Sequence, residues 1–240
     1  MLDLILAWIL LTLASATIVV FLGEKYGYGL TIGLFAGLIV TAQVLANKTV
    51  QILDFTVPAG VLVYSTGYLI TDVLAEFHGK DTAKQAVWSG FLASLILVIA
   101  IRIAIAWPSA PFWQAQDAFV TTLGSTWRIV AASLAAYVVS QNTDVHLFHR
   151  IREYTGDSKL YLRNIGSTSI SQLIDSVIFI VIAFYGVMPI VPLIIGQYIV
   201  KLAIAALDTP FIYFIKYSKR HNLIDKLPDR STLRLTRPEP

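Results

Sequence analysis

The chain has 240 residues, of which 56% are hydrophobic and only 14% are charged, against roughly 25% charged in a typical soluble domain. Its mean hydropathy of +0.70 indicates an integral membrane protein. The net charge of +3 needs no nucleic-acid partner, because basic loops facing anionic lipid account for it. The chain contains no cysteine, which excludes disulfides and thiolate metal sites.

Seven apolar segments have the length that an α-helix needs to cross a bilayer, about 20 residues. Pro189 and Pro192 separate the last two, because proline cannot continue a helix. The segments are uniformly apolar and lack period-two alternation, which argues against a β-barrel. The sequence therefore predicts an all-α polytopic membrane protein with about seven transmembrane helices. The predicted spans are residues 4–22, 28–47, 55–77, 84–107, 125–147, 166–187 and 190–217.

The basic residues predict the orientation of the chain. With the N-terminus outside, 14 of the 18 lysine and arginine residues fall in cytoplasmic segments, and only Lys48 falls in an outer one. This asymmetry fits the positive-inside rule. We therefore expect a multi-pass protein of the inner or plasma membrane, with one transmembrane domain over residues 1–218 and a polar cytoplasmic tail over residues 219–240. A small-residue pattern near Ala14 also permits a signal peptide, but the residues before it carry no positive charge, which favours a retained helix.

A short polar pattern occurs twice in this apolar chain. SQNTDVHLF begins at Ser140, and SQLIDSVIF begins at Ser171. The predicted orientation places both copies at a similar depth on antiparallel neighbouring spans. This is the relation expected of inverted-topology elements that frame the binding site of a secondary transporter. Chance similarity, or helix packing through serine and glutamine, is the alternative.

Each copy spaces a glutamine and an aspartate three residues apart, which places both on one face of a helix. The pairs are Gln141 with Asp144 and Gln172 with Asp175. A charged aspartate facing lipid costs at least about 2.5–3.5 kcal/mol near the bilayer centre, so these faces should point into the bundle or into a cavity. A carboxylate beside an amide suits a planar solute with several hydrogen-bonding groups. Hydrogen bonding between neighbouring helices is the simpler interpretation.

Three cations lie within predicted spans. Arg102 is expected to extend to the outer interface, and Arg128 could do the same or face a cavity. Lys201 lies about midway along the last span, too deep to reach either interface, and should pair with an intramembrane carboxylate. Asp208 follows on nearly the same helix face, ahead of Pro210, which should kink the helix.

Asp72 and Glu76 lie one helical turn apart at the cytoplasmic end of the third span. They could handle substrate or protons, or Glu76 could pair with nearby lysines on the helix surface. No phosphate-binding loop, zinc-protease motif or nucleophile elbow occurs in the sequence. We therefore expect no enzyme activity, no cofactor and no metal site.

Four segments carry a resemblance to one family: TDVLAEFHGK, STWRIVAASLAAYVVSQNTDVHLF, LRNIGSTSISQLIDSVIFIVIAFYG and KLAIAALDTPFIY. They resemble the queuosine-precursor transporters, also called the vitamin uptake transporter family, over roughly residues 58–213. The matching positions are Asp72, Glu76, Gly79, Arg128, Gln141, Asp144, Arg163, Asn164, Gln172, Asp175, Lys201 and Asp208.

The resemblance implies uptake of a 7-deazaguanine precursor of a modified tRNA nucleoside, such as 7-cyano-7-deazaguanine, by secondary or facilitated transport. It also implies a six-helix core like the substrate-binding components of energy-coupling-factor vitamin transporters, here preceded by an N-terminal helix. The expected partners are this small planar solute and the lipid bilayer, without nucleic acid. The resemblance neither implies nor excludes a homo-oligomer.

The guanine-like edge of such a solute presents two donors beside a carbonyl oxygen, which a carboxylate and an amide or cation can bind. The residues predicted to bind the substrate are Gln141, Asp144, Gln172, Asp175, Arg128, Asn164 and Lys201. The residues predicted to act in gating or proton coupling are Asp72, Glu76 and Asp208. A substrate-binding subunit that needs a separate ATPase module, and a membrane enzyme, are the alternative functions.

Overall fold

The computed structural model describes residues 2–155 and 160–221, and these residues form eight α-helices and one β-hairpin. Seven of the helices are long, and each corresponds to one of the predicted spans. The elements are α1 Leu2–Tyr26, α2 Gly29–Leu45, β1 Thr49–Ile52, β2 Phe55–Pro58, α3 Gly60–His78, α4 Lys80–Ala106, α5 Gln116–Leu123, α6 Thr126–Thr155, α7 Leu160–Phe184 and α8 Ile190–Arg220.

Among the described residues, five helices are long and apolar enough to cross a membrane, and α2 is an apolar helix of lesser length. Together with the predominance of helix, this confirms the predicted all-α polytopic membrane protein. α3 carries Asp72 and Glu76 and is not one of the five. The count of seven membrane spans therefore stays a prediction.

α3 is the central helix of the bundle. Eleven of its 19 residues are buried, and it packs against α1, α2, α4 and α8. Leu69 and Ile70 on α3 are fully buried, and they join one hydrophobic core with Leu13 of α1 and Ile204 of α8. A helix enclosed in this way directs its polar side chains into interior space, which is where the cavities described below lie.

Glycines determine how closely some of these helices approach. A Cβ atom at Gly60 of α3 would overlap the carbonyl oxygen of Ala42 in α2, and one at Gly196 of α8 would overlap the carbonyl oxygen of Thr56 in the hairpin. Close contact through small residues is typical of membrane helices, whose association depends on van der Waals packing. These contacts hold α2, α3, α8 and the hairpin together at one end of the bundle, which we call the hairpin end.

Residues 49–58 differ from the prediction, which began the third span at residue 55. β1 and β2 pair in antiparallel register, with Thr49 opposite Pro58 and Ile52 opposite Phe55, and Leu53 turns the chain with φ of 54°. The proline disfavours helical geometry in the residue before it. The helix therefore begins only at Gly60.

Two connections also differ from the prediction. The basic segment after residue 147 is largely helical, since α6 continues to Thr155 and α7 begins at Leu160. The outer segment 108–124 contains the short helix α5, which packs against α4, and its Phe112 is 86% exposed. The predicted turn before the last span is confirmed, because α7 ends at Phe184 and Pro189 immediately precedes α8.

A buried carboxylate joins three helices at the end of the bundle opposite the hairpin. Glu24 of α1 has a side chain that is only 7% exposed, and its two oxygens contact His78 of α3 at 2.5 Å and Lys219 of α8 at 2.7 Å. The Lys219 ammonium also lies 4.1 Å from the centre of the Phe77 ring. Such charge-assisted contacts are among the stronger hydrogen bonds in proteins, so α1, α3 and α8 are fastened together at this end.

We expect Gly60→Ala and Gly196→Ala to lower the temperature of thermal unfolding in detergent micelles. Each added methyl group would meet a backbone carbonyl, and overpacking of this kind costs about 1–3 kcal/mol. The matched control is Gly37→Ala on α2, where an added Cβ meets nothing within 4 Å. The control should unfold at the wild-type temperature or above it, because alanine favours the helix by about 0.5–1 kcal/mol. Wild-type stability in Gly60→Ala would contradict this account of the packing.

Candidate functional site

A buried ion pair links α7 to α8 inside the bundle. The ammonium group of Lys201 donates a hydrogen bond to Oδ2 of Asp175, and the two residues are only 4% and 5% exposed. Ser140 of α6 donates to the other oxygen of the same carboxylate at 3.4 Å. Lys201 was expected to pair with an intramembrane carboxylate, because lysine at this depth cannot reach water along its own side chain. An isolated buried charge is very costly, so each member of the pair requires the other.

The two copies of the SQxxD pattern meet through reciprocal hydrogen bonds. Ser140 of α6 donates to Asp175 of α7, and Ser171 of α7 donates to Asp144 of α6 at 3.2 Å. Thus the serine of each copy binds the aspartate of the other. This arrangement places the copies at the same depth on antiparallel helices, as the charge distribution in the sequence had indicated.

The ion pair forms part of the wall of a small cavity between α2, α3, α6, α7 and α8, which we call cavity 1. Its volume is about 30 Å³, room for about two water molecules. Small side chains and Pro58 line the hairpin end of this space, and Phe179 lines another side. The polar side chains in its wall are Gln43, Tyr64, Ser133, Asp175, Gln197 and Lys201.

A larger cavity, cavity 2, lies between α2, α3, α4 and α6 toward the opposite end of the bundle. Its volume is about 260 Å³, close to the lower limit of about 300 Å³ for small-molecule sites. Its wall combines aromatic and aliphatic side chains with a carboxylate, two ammonium groups and an amide. Its polar and aromatic lining residues are Phe35, Tyr64, Tyr68, Thr71, Asp72, Lys80, Lys84, Phe91, Tyr137 and Gln141.

Tyr64 lies in the walls of both cavities. Its ring packs edge-to-face against Tyr68 with 5.7 Å between the ring centres. The Lys201 ammonium lies 5.8 Å from the centre of the Tyr64 ring. One aromatic side chain therefore contributes to the walls of both the smaller and the larger cavity.

The structure divides the residues that the sequence singled out between different places. Asp175 and Lys201 line cavity 1, whereas Gln141 and Asp72 line cavity 2. The Oε1 atom of Gln172 is buried and has no hydrogen-bond partner among the described residues. The glutamines and aspartates of the two SQxxD copies consequently do not all line one cavity.

Arg128 lies at the hairpin end rather than in the wall of either cavity. Its Nε atom donates to the carbonyl of Ile182 at 2.5 Å, and an Nη atom donates to the carbonyl of Tyr185 at 2.7 Å. The last carbonyls of a helix have no partner within the helix, so Arg128 of α6 satisfies the end of α7. Glu76 lies on α3 one turn beyond Asp72, and the side chains of Asn164 and Asp208 fall outside the described part of the structure.

Four polar residues of cavity 1 were missed by the sequence analysis: Gln43, Tyr64, Ser133 and Gln197. None of these four residues is charged or belongs to the repeated SQxxD pattern. A usable signal was present for the two glutamines. Each is a lone amide in a long apolar stretch, and amides at such positions are costly unless they are hydrogen-bonded.

Comparison with known sequences assigns the family. Residues 58–215 match the family described as "Putative vitamin uptake transporter", which is well over half of the 240 residues. The chain belongs to this family. The matched region includes every helix that contributes to cavity 1 except α2, so the vitamin uptake transporter family covers most of the site as well as most of the bundle.

Individual relatives are transporters. The chain is 34% identical over 216 residues to the "Probable queuosine precursor transporter" of Bacillus subtilis, covering 87% of this chain and 93% of the relative. It is 26% identical over 163 residues to the "Queuosine precursor transporter" of Escherichia coli, covering 68% of this chain and 71% of the relative. A similar protein of Haemophilus influenzae is 25% identical over 146 residues, covering 61% of this chain and 60% of the relative.

These relationships identify the chain as a multi-pass membrane transporter and not an enzyme. No solved structure matches it. The expected likeness to the substrate-binding components of energy-coupling-factor transporters therefore stays a prediction.

We expect Lys201→Met and Asp175→Asn each to lower the temperature of thermal unfolding, because either change removes one member of the buried ion pair. Breaking a buried pair by removing one partner typically costs about 3–5 kcal/mol. The double variant should lose less than the sum of the two single variants, because no unpaired charge remains. The measurement is a double-mutant cycle on the detergent-solubilised protein.

The control for this cycle is the exposed pair of Asp81 and Lys84 on α4, whose side chains are 96% and 73% exposed. Asp81→Asn and Lys84→Met should change the unfolding temperature little, because exposed ion pairs contribute about 0–1 kcal/mol. Additive losses in the Asp175 and Lys201 cycle would show that the two residues are not coupled.

Proposed function

We propose that this transporter takes up a 7-deazaguanine precursor of queuosine, such as 7-cyano-7-deazaguanine, by secondary or facilitated transport. The names of the relatives from B. subtilis and E. coli support the substrate class. Within the site, the proposal rests on the buried ion pair of Asp175 and Lys201, which lies in the wall of cavity 1.

The chemistry of that pair suits a guanine-like ring. A carboxylate has about four lone-pair positions, and in Asp175 two of them accept hydrogen bonds from Lys201 and Ser140. The remaining positions can accept from the ring N–H and the exocyclic amine of the substrate, while an ammonium hydrogen of Lys201 can donate to the ring carbonyl. Tyr64 offers an aromatic surface in the same wall for contact with the flat ring.

We propose that the substrate reaches cavity 1 through cavity 2. At about 30 Å³ cavity 1 is too small for a bicyclic ring, whereas cavity 2 has about 260 Å³. Movement of Tyr64, whose side chain lies in both walls, would join the two spaces. The structure then corresponds to a closed state, with Gln141, Gln172 and Asp144 of the repeated pattern acting on the substrate as it passes between the cavities.

Asp72, Glu76 and Asp208 are proposed to serve gating or proton coupling. The support for this role is clearest for Asp72, which lines cavity 2 together with Lys80 and Lys84 on α4. A carboxylate facing two ammonium groups across a cavity can respond to the charge of a solute or to a proton. In this role the ion pair of cavity 1 binds the substrate, and Asp72 controls access from the larger cavity.

Uptake by the purified protein tests the function directly. Liposomes containing only this protein should accumulate radiolabelled 7-cyano-7-deazaguanine, and unlabelled substrate should compete with it. Asp175→Asn should reduce uptake by at least tenfold, because the neutral amide oxygen is a weaker acceptor and Lys201 loses its partner. Asp117→Asn, at an exposed position of α5 outside both cavity walls, should transport at the wild-type rate.

The other outcomes of this experiment separate the alternatives. Substrate binding without uptake would indicate a subunit that requires a separate ATPase module, and the absence of binding would rule out the substrate class. Imposing a pH gradient across the liposomes tests proton coupling: a gradient-dependent rate that disappears in Asp72→Asn supports it, and a rate independent of the gradient removes it.

The proposed orientation has the N-terminus and the hairpin outside and the C-terminal tail in the cytoplasm. The chain has no cysteine, so single cysteines can be introduced without removing others. Asp54→Cys, at the exposed hairpin turn, should react with a membrane-impermeant maleimide in intact cells. Ser231→Cys, in the tail, should react only after permeabilisation. The reverse labelling pattern would invert the orientation.

A further inference from the structure

Two pairs of aromatic side chains from three helices line one end of cavity 2. Tyr64 and Tyr68 of α3 form one edge-to-face pair. Phe91 of α4 and Tyr137 of α6 form the other, with 5.1 Å between the ring centres. All four rings lie in the cavity wall, and each is only partly buried. Aromatic surface of this kind binds flat heterocycles by stacking, whatever their hydrogen-bonding edge.

A fifth ring closes the wall on the side of α2. A Cβ atom added at Gly67 of α3 would lie 3.2 Å from the Phe35 ring, and one added at Gly90 of α4 would lie 3.0 Å from it. Phe35 thus packs against two helices at points where neither has a side chain, and only 6% of its surface is exposed. This part of the wall is tightly packed, so we expect its shape to persist when a ligand enters.

The chemistry of cavity 2 changes along its length. Its lining extends from Tyr64 to Ala75 on α3 and from Lys80 to Phe91 on α4, a separation of eleven residues in each case. Eleven residues correspond to about 16 Å of helix, which is longer than a bicyclic ring. The aromatic rings lie at one end, and the charged side chains lie toward the connection between α3 and α4. The cavity therefore has an aromatic half and a charged half.

Two tryptophans on α4 indicate the depth of each half in the membrane. Trp88 and Trp107 are 65% and 70% exposed, and their separation in the sequence corresponds to about 28 Å of helix. Exposed apolar side chains lie between them, including Ile96 at 67%. The hydrocarbon core of a bilayer is about 30 Å thick, and tryptophan is enriched at both of its interfaces. The two tryptophans therefore mark the two surfaces of the hydrocarbon core.

These surfaces divide cavity 2 between hydrocarbon and water. Phe91 lies one helical turn inside the level of Trp88, whereas Lys84 lies one turn outside it. The Lys84 side chain is 73% exposed. The aromatic half of the cavity consequently lies at the depth of the lipid chains, and the charged half opens to water beside the connection between α3 and α4.

We propose that cavity 2 is itself a binding site, in which Tyr68, Phe91 and Tyr137 hold a planar heterocycle of the proposed substrate class. This inference rests on the proposed function and deepens it, because it separates ring binding from the ion pair of Asp175 and Lys201. Cavity 1, at about 30 Å³, does not admit the ring in this conformation, whereas cavity 2 has about 260 Å³. The ring binds first among the aromatic side chains and reaches the ion pair when the two cavities join.

Titration of the purified full-length protein with 7-cyano-7-deazaguanine tests this site. Tyr137→Leu should weaken binding by about 5- to 150-fold, as expected for the loss of one stacking contact between a base and an aromatic side chain. Tyr137→Phe keeps the ring and should bind as the wild type does. The double variant Asp175→Asn, Lys201→Met leaves no unpaired charge in cavity 1 and should keep the wild-type affinity, although it should lose uptake.

Cysteine protection locates the bound ligand by an independent measurement. The chain has no cysteine, so Ala83→Cys introduces a single thiol in the wall of cavity 2. In detergent solution, saturating 7-cyano-7-deazaguanine should slow the reaction of this thiol with a maleimide. Gln85→Cys, at an exposed position of α4 outside both cavity walls, should react equally fast with and without ligand. Adding Tyr137→Leu to Ala83→Cys should remove the protection at the same ligand concentration.

The outcomes distinguish this inference from the function on which it rests. If the wild type binds the ligand but Tyr137→Leu keeps its affinity and Ala83→Cys is not protected, cavity 2 does not hold the ring, although the proposed function stands. Equal losses in Tyr137→Phe and Tyr137→Leu would also overturn the inference, because the ring would not be the binding group. Phe91→Leu, in the same aromatic pair, replaces Tyr137→Leu if that variant does not fold. If the wild type does not bind the ligand, the proposed function itself fails.

Discussion

The arrangement of the bundle depends on the buried ion pair between Asp175 and Lys201. Two charges at this depth are tolerated only because each neutralises the other and because Ser140 provides a further hydrogen bond. The pair fixes the rotation of α7 and α8 about their own axes, since turning either helix would separate the charges. The rotation of α8 in turn places Gln197 in the cavity wall.

The same interaction links folding to function. In the proposed function, a substrate bound at the Asp175 carboxylate would replace hydrogen bonds that stabilise the helices, so the proposed site and the core share the same residues. Beside this small cavity the Asp175 carboxylate accepts hydrogen bonds from Lys201 and Ser140. Opening the site therefore requires replacement hydrogen bonds from a ligand.

The sequence predicted the architecture well because the bilayer imposes strong rules. Apolar length located the long helices, and charge counting placed the two SQxxD copies at one depth, where Ser140 and Ser171 exchange hydrogen bonds with Asp175 and Asp144. The hairpin was missed because β1 and β2 are short and adjoin apolar helices. The sequence also could not predict that the polar residues would be divided between two cavities. A three-residue spacing predicts that two residues share a helix face, but it does not predict which helix packs against that face. Arg128 illustrates this, since its partners are backbone carbonyls, which no residue pattern reveals.

The hydrogen bonds between α6 and α7 limit how these two helices can move relative to each other. The two helices are joined near their middle by the reciprocal serine–aspartate bonds and at the hairpin end by Arg128. Contacts at two levels oppose sliding of one helix along the other, so we expect α6 and α7 to move together. For the proposed secondary transport, we expect the other helices to move relative to this pair of helices. α3 carries Tyr64, which lines both cavities, and has no side chain at Gly67, where an added Cβ would lie 3.2 Å from the Phe35 ring of α2, so we expect any gate between the cavities to be on α3.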